Sequence, residues 1–112
     1  MSIWQRLVAR AFHRLYYNSW KRGHRRGPSP ATLSLHFLGH QMIKCPFDLW
    51  VYQELVVEQQ PDWVIECGTF RGGTALYFAV LMDAIGHGGV IAIDTTPYDG
   101  RPEHSRIRYV HG

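Results

Sequence analysis

Acidic residues are missing from the front of this chain: Met1 to Arg26 holds seven Lys/Arg and no Asp or Glu. Gly27 to Gly112 holds the other five Lys/Arg and all nine Asp/Glu, so the net charge of +3 conceals a basic segment ahead of a mildly acidic body. An acidic body argues against nucleic acid as a partner, although the overall pI would suit one. Cysteine is scarce as well. Cys45 and Cys67 stand far apart with no second thiol near either, which excludes a disulfide scaffold and a zinc site and points to reduced thiols in the cytoplasm. Long apolar runs are absent too. No stretch approaches the roughly 20 residues of a transmembrane helix, and Arg6, Arg10 and Arg14 interrupt any secretory core. Of the seven histidines, none pairs with another at metal-ligand spacing except by accident.

What is present suits one packed domain: 112 residues, 46% hydrophobic and 13% aromatic. Ile3, Leu7, Val8, Ala11, Phe12 and Leu15 share one side of an amphipathic helix, with Arg6, Arg10 and Arg14 elsewhere on it. "KRGHRRGPSP", Lys21 to Pro30, combines glycine, proline and basic side chains and is expected to break regular structure. The expected organisation is therefore a basic helix with its linker over residues 1–30 and an α/β domain over residues 31–112.

Within the domain, Pro46 opens a helical pattern that Pro61 closes, predicting a helix over Pro46 to Gln59. "DWVIECG" and "GVIAIDT" are short apolar runs flanking a helical stretch, Thr74 to Ile85, that Gly86, Gly88 and Gly89 end. This is a βαβ unit. Its strands are continuously apolar, as expected of parallel strands covered by helices on both faces. A further strand is expected at "RIRYV", Arg106 to Val110.

The turn "ECGTFRGGT", Glu66 to Thr74, joins the first of these strands to its helix and places backbone N–H groups at a helix N-terminus. Phe70 stands where a dinucleotide fingerprint needs glycine. Thr74 and Ala75 stand where a nucleoside triphosphate site needs lysine and a hydroxyl. Glu66 would repel a pyrophosphate but attract an ammonium or a sulfonium, and S-adenosylmethionine carries both. Asp94 follows Gly68 by about 26 residues, near the spacing at which an acid accepts bonds from ribose hydroxyls. The candidate cofactor-binding residues are Glu66, Gly68, Thr69, Gly72, Gly73, Thr74 and Asp94. Turn chemistry alone would also explain the glycines, helix capping would explain Thr69 and Thr74, and Asp99 and His104 are expected to face water.

Two motifs give the chain a resemblance: P-x-D-L-W-x-Y-Q at Pro46 to Gln53 and E-x-G-x-x-x-G-G at Glu66 to Gly73. From Leu38 to Gly112 the chain resembles the N-terminal half of the cephalosporin hydroxylase family, also called the rhamnosyl O-methyltransferase family. The resemblance implies a Rossmann-like class I methyltransferase fold that binds S-adenosylmethionine and methylates a hydroxyl of a sugar, glycolipid or antibiotic-like acceptor. It matches Glu66, Gly68, Gly72 and Gly73 to the cofactor turn and Asp94 to the ribose acid. It sets Asp48, Trp50, Tyr52 and Gln53 on a helix over the cofactor's methionine end, where a core helix with a polar face explains them equally well. Members of the family continue through four more strands, which would carry the substrate pocket and the acids that resemble an Mg2+ site. A truncated product or fragment with weak or absent activity is thus the expectation, with Trp63 to Cys67 a central strand left unpaired on its far side. No residue here supplies a catalytic base.

Two other uses remain. The basic helix, residues 3–22, suits an anionic membrane surface, while a homo-oligomer contact or packing on the body would use the same stripe. An NAD-binding oxidoreductase shares the strand-turn-helix plan, and Phe70 argues against it.

Overall fold

The computed structural model describes residues 2–26 and 35–112, and the chain divides into two compact units, Met1–Ser34 and Leu35–Gly112. The first unit holds helix α1, Ile3–Arg26. Its start is a reciprocal cap: the Ser2 backbone N–H donates to Gln5 Oε1 at 2.7 Å and the Gln5 N–H donates to Ser2 Oγ at 3.2 Å, satisfying donors that a helix end leaves free. The break expected from Lys21 onward does not occur there. The backbone stays helical through Gly23 to Arg26, because one interior glycine costs a helix only about 1 kcal/mol. The rest of that expected linker lies outside the described residues.

The second unit opens with a hairpin that the sequence reading did not foresee: β1, Leu35–Phe37, pairs antiparallel with β2, His40–Met42. Leu38 and Gly39 turn it, both at positive φ (48° and 85°), the conformation a two-residue hairpin loop requires. Helix α2, Pro46–Gln59, begins with proline at its first position and ends at Gln60, whose left-handed N–H returns to the Val56 carbonyl.

Strand β3, Trp63–Cys67, helix α3, Gly73–Ile85, and strand β4, Gly89–Asp94, form the expected βαβ unit. Strand β5, Ile107–His111, adds to it, giving a parallel sheet in the order β3-β4-β5. Ala75, Ala79 and Met82 of α3 pack on Val90 and Ala92 of β4, with Val64, Ile107, Tyr109 and Phe78 around them. Small alanines on the helix let it lie close to the strands, which concentrates the core at the middle of the sheet. Helix α2 joins α3 through Tyr52 and Phe78, whose rings lie 5.6 Å apart, and through a hydrogen bond from the Tyr77 hydroxyl to the Leu49 carbonyl.

Side chains alternate across a strand, so Val64, Val90, Ala92, Ile107 and Tyr109 face α3 while Trp63, Ile65, Ile91, Ile93 and Val110 face the other way. That second face departs from the expectation of helices on both sides. No helix of this unit covers it, and Trp63 and Ile65 are 57% and 64% exposed. Strand β3, expected to be left unpaired on its far side, is an edge strand here, without a neighbour on its outer side among the described residues.

Candidate functional site

The turn from Gly68 to Gly72 joins the C-terminal end of β3 to the N-terminus of α3. Its shape is fixed by β4. The Gly68 N–H donates to the Ile93 carbonyl at 2.8 Å, the Phe70 N–H donates to Asp94 Oδ2 at 2.8 Å, and the Gly72 N–H closes the turn on the Thr69 carbonyl at 2.9 Å. Gly68 and Gly72 both adopt positive φ (81° and 80°), which glycine reaches without strain. The three glycines nevertheless have different surroundings. A Cβ on Gly68 would meet nothing within 4 Å, so this position borders open space. On Gly72 it would lie 2.6 Å from the Tyr109 hydroxyl, and on Gly73 it would lie 2.5 Å from the Gln41 carbonyl oxygen and 2.6 Å from that of His40. The β1–β2 hairpin therefore rests directly on the first turn of α3.

Glu66 and Asp94 both lie at the C-terminal end of the sheet, and both serve the turn. The buried Glu66 carboxylate accepts a hydrogen bond from Thr69 Oγ1 at 2.8 Å. Burial pushes its pKa above the usual value; the Thr69 and Thr74 hydroxyls and the Lys44 ammonium oppose that rise, and nearby Asp94 adds to it. Thr69 and Thr74 thus face a buried carboxylate. Neither caps α3, whose N-cap is Gly72 with no side-chain bond.

Asp94 accepts the Thr96 N–H at 2.9 Å on Oδ1 besides the Phe70 N–H on Oδ2. Those two backbone donors, Thr96 first, hold its carboxyl below the ordinary range, with the Arg101 guanidinium assisting from 3.6 Å. Arg101 went unnoticed in the sequence. Its Nε donates to the Phe70 carbonyl at 2.8 Å and another guanidinium nitrogen to the Thr96 carbonyl at 2.9 Å, while its plane lies over Tyr98 and Tyr109. One side chain thereby ties the turn to the loop after β4, a role that suits a planar fork of donors. Phe70 holds a left-handed φ of 52° between this clamp and the Tyr98 ring, 5.0 Å away. Tyr109 donates to the Pro102 carbonyl at 3.0 Å, and burial pushes its hydroxyl up to about 12.

All seven candidate residues are thus brought to one end of the sheet. Asp99 is exposed, as expected. His104 is not a solvent-facing loop residue: it pairs with Asp83 at 3.0 Å through Nε2 and accepts the Arg106 N–H on Nδ1, fastening the loop before β5 to α3. Both of its nitrogens are engaged, which leaves none to act as a base. Among the described residues no group of three His, Cys, Asp or Glu side chains is placed to hold a metal ion.

Comparison with known proteins bears on this arrangement directly. The family described as Rhamnosyl O-methyltransferase/CmcI matches residues 31–112. A rhamnosyl O-methyltransferase of Mycobacterium leprae is 31% identical over 96 residues, 85% of this chain and 38% of that protein. One of Mycobacterium bovis is 37% identical over 81 residues, 70% of this chain and 28% of its own length. The chain therefore spans about a third of the curated relatives it matches. Among solved structures, CmcI-N160 in its apo form superposes with a TM-score of 0.66 at 26% identity, covering 78% of this chain and 39% of that one. A second, cmcI-N160 with SAH, gives 0.62 at 24% identity, covering 81% and 51%.

Proposed function

The chain belongs to the rhamnosyl O-methyltransferase/CmcI family, and on that premise we propose that it is the cofactor-binding part of an S-adenosylmethionine-dependent O-methyltransferase whose acceptor is a sugar hydroxyl. The observation that carries the reading is the open space at Gly68, whose N–H bonds the Ile93 carbonyl next to Asp94, at the C-terminal end of parallel strands where α/β sheets bind their ligands. A side chain at Gly68 would fill that space. Support for the cofactor comes from the SAH held by the structural relative, and support for a sugar acceptor from the names of the curated relatives.

In this reading the Gly68–Gly72 backbone borders the cofactor and Asp94 receives its ribose hydroxyls. Each Asp94 oxygen takes one backbone N–H and keeps further capacity to accept. Glu66 and Lys44 set the charge beneath the turn. When bound, S-adenosylmethionine supplies an activated methyl group, and the protein's task is to align the acceptor oxygen with it and exclude water. The acceptor's proton needs a base, and no described residue is assigned that role.

The test is thermal stabilisation of the full chain by S-adenosylhomocysteine, with circular dichroism confirming the fold. Dose-dependent stabilisation, absent with NAD, is expected, because a ligand raises the melting point only through a site it fits. Asp94→Ala should weaken binding at least about tenfold, as for a lost charge-assisted bond. Stabilisation by NAD and none by S-adenosylhomocysteine would replace this reading with an oxidoreductase one.

A further inference from the structure

We propose that α1 is an interfacial helix that seats the protein on an anionic lipid surface. The family model's match begins at residue 31, after α1, which lies in a compact unit of its own. Its side chains carry two features that together require a partner. Ile3, Trp4, Leu7, Val8 and Leu15 occupy one side and are 50–72% exposed apart from Trp4 at 74%. Arg6, Arg10 and Arg14, four residues apart, make a single row along the border of that stripe, next to Ile3 and Leu7. The charge is one-sided over a longer span than the helix: eight of the 12 Lys/Arg and none of the nine Asp/Glu lie in residues 1–47.

The charge selects the occupant. Pairing α1 with the same helix of a second copy would bury the apolar stripes but bring two arginine rows together with no acid on either helix to offset them. An anionic bilayer satisfies both features at once. The apolar side chains and Trp4 enter the acyl boundary, while arginines at its rim lie level with the phosphates. A helix of 24 residues is about 36 Å long and can lie along such a surface. No described helix is long and apolar enough to cross a membrane, so the contact is superficial.

Vesicle flotation of the full chain tests this, because aggregates sink while vesicle-bound protein rises. Vesicles with about 30% phosphatidylglycerol should carry the protein upward and pure phosphatidylcholine should not, and about 0.5 M salt should release it. The triple variant Arg6→Gln, Arg10→Gln, Arg14→Gln should partition about 100-fold more weakly, from roughly fivefold per arginine at a charged surface. The double variant Leu7→Ser, Val8→Ser should also stay with the soluble fraction. Equal flotation on neutral vesicles, or retention on anionic vesicles by either variant, would overturn the proposal. So would absence of flotation. Concentration-dependent self-association that only the Leu7/Val8 variant abolishes would assign the stripe to a second copy instead.

Discussion

Replacing Gly73 with alanine separates two opposite expectations for a single methyl group. Gly73 is the first residue of α3 and has no left-handed φ, so on helix propensity alone alanine would stabilise the protein by up to about 1 kcal/mol. The packing says otherwise. The new Cβ would lie 2.5 Å from the Gln41 oxygen, 2.6 Å from the His40 oxygen and 2.8 Å from the Gln41 carbonyl carbon. These are backbone atoms of a paired strand and cannot rotate away as the end of a flexible side chain would. The hairpin must move as a unit or α3 must tilt, and overpacking against three backbone atoms costs about 2–3 kcal/mol, the upper part of the usual range. With the propensity gain subtracted, a net loss of about 1–2 kcal/mol remains. At about 4–8 °C per kcal/mol for a unit of this size, the melting point should fall by roughly 5–15 °C. The assay is thermal unfolding followed by far-ultraviolet circular dichroism. Gly68→Ala serves as a companion, since it meets no neighbour and its cost of about 1–2 kcal/mol comes from its φ of 81°. An unchanged or higher melting point for Gly73→Ala would refute the close seating of the hairpin on α3, and with it the hairpin's part in shaping the site.

Three further outcomes are expected. Glu66 has a raised folded pKa, so the folded state holds its proton more tightly than the unfolded state and loses stability as pH climbs from about 4.5 through that raised value. Glu66→Gln removes this loss, and its stability relative to wild type should rise between pH 4.5 and 7 in urea titrations; a difference falling over that window would contradict the assignment. Arg101→Lys keeps the charge but loses the fork that bonds the Phe70 and Thr96 carbonyls, and should cost about 1–3 kcal/mol in the same titrations, with S-adenosylhomocysteine binding weakened in parallel. Ile65→Lys lies on the uncovered sheet face at an edge strand, where a charge should suppress aggregation in light scattering with a stability change within about 0.5 kcal/mol. A large loss of stability there would mean that the face is covered.

The elements with punctuation at their ends were legible in the sequence. Pro46 and Pro61 bracket α2, and the Glu66 to Gly73 turn marks where β3 gives way to α3. The hairpin was not legible. Its strands have three residues each, with His36, His40 and Gln41 among them, so neither alternation nor an apolar run marks them. Its place on α3 is visible only once Gly73 is seen against the Gln41 carbonyl. Arg101 was hidden for another reason: it meets the turn 31 positions earlier in the chain, and a single arginine in a polar loop carries no pattern that would predict such a clamp. The error about coverage of the sheet arose because Ile65, Ile91 and Ile93 are apolar as strands covered on both faces should be, and composition states what a face requires without stating what occupies it.

The two carboxylates at the heart of the site are not equivalent. Glu66 sits on the α3 side of β3, buried, with Thr69 and Thr74 hydroxyls directed at it, so its first effect is on the conformation of the turn. Asp94 lies beyond the last residue of β3 in register and spends one acceptance on each of two backbone donors, one of which, Phe70, belongs to the turn itself. An acid in that position couples the loop after β4 to the glycine turn before any ligand arrives. Pre-positioning of this kind reduces the ordering that binding must otherwise impose. On the proposed function, loss of affinity in an Asp94 variant would have two physical sources, a missing ribose partner and a loosened turn. Arg101→Lys divides them: it loosens the same turn while leaving the Asp94 carboxylate in place, so whatever affinity the Asp94 variant loses beyond it belongs to the direct contact.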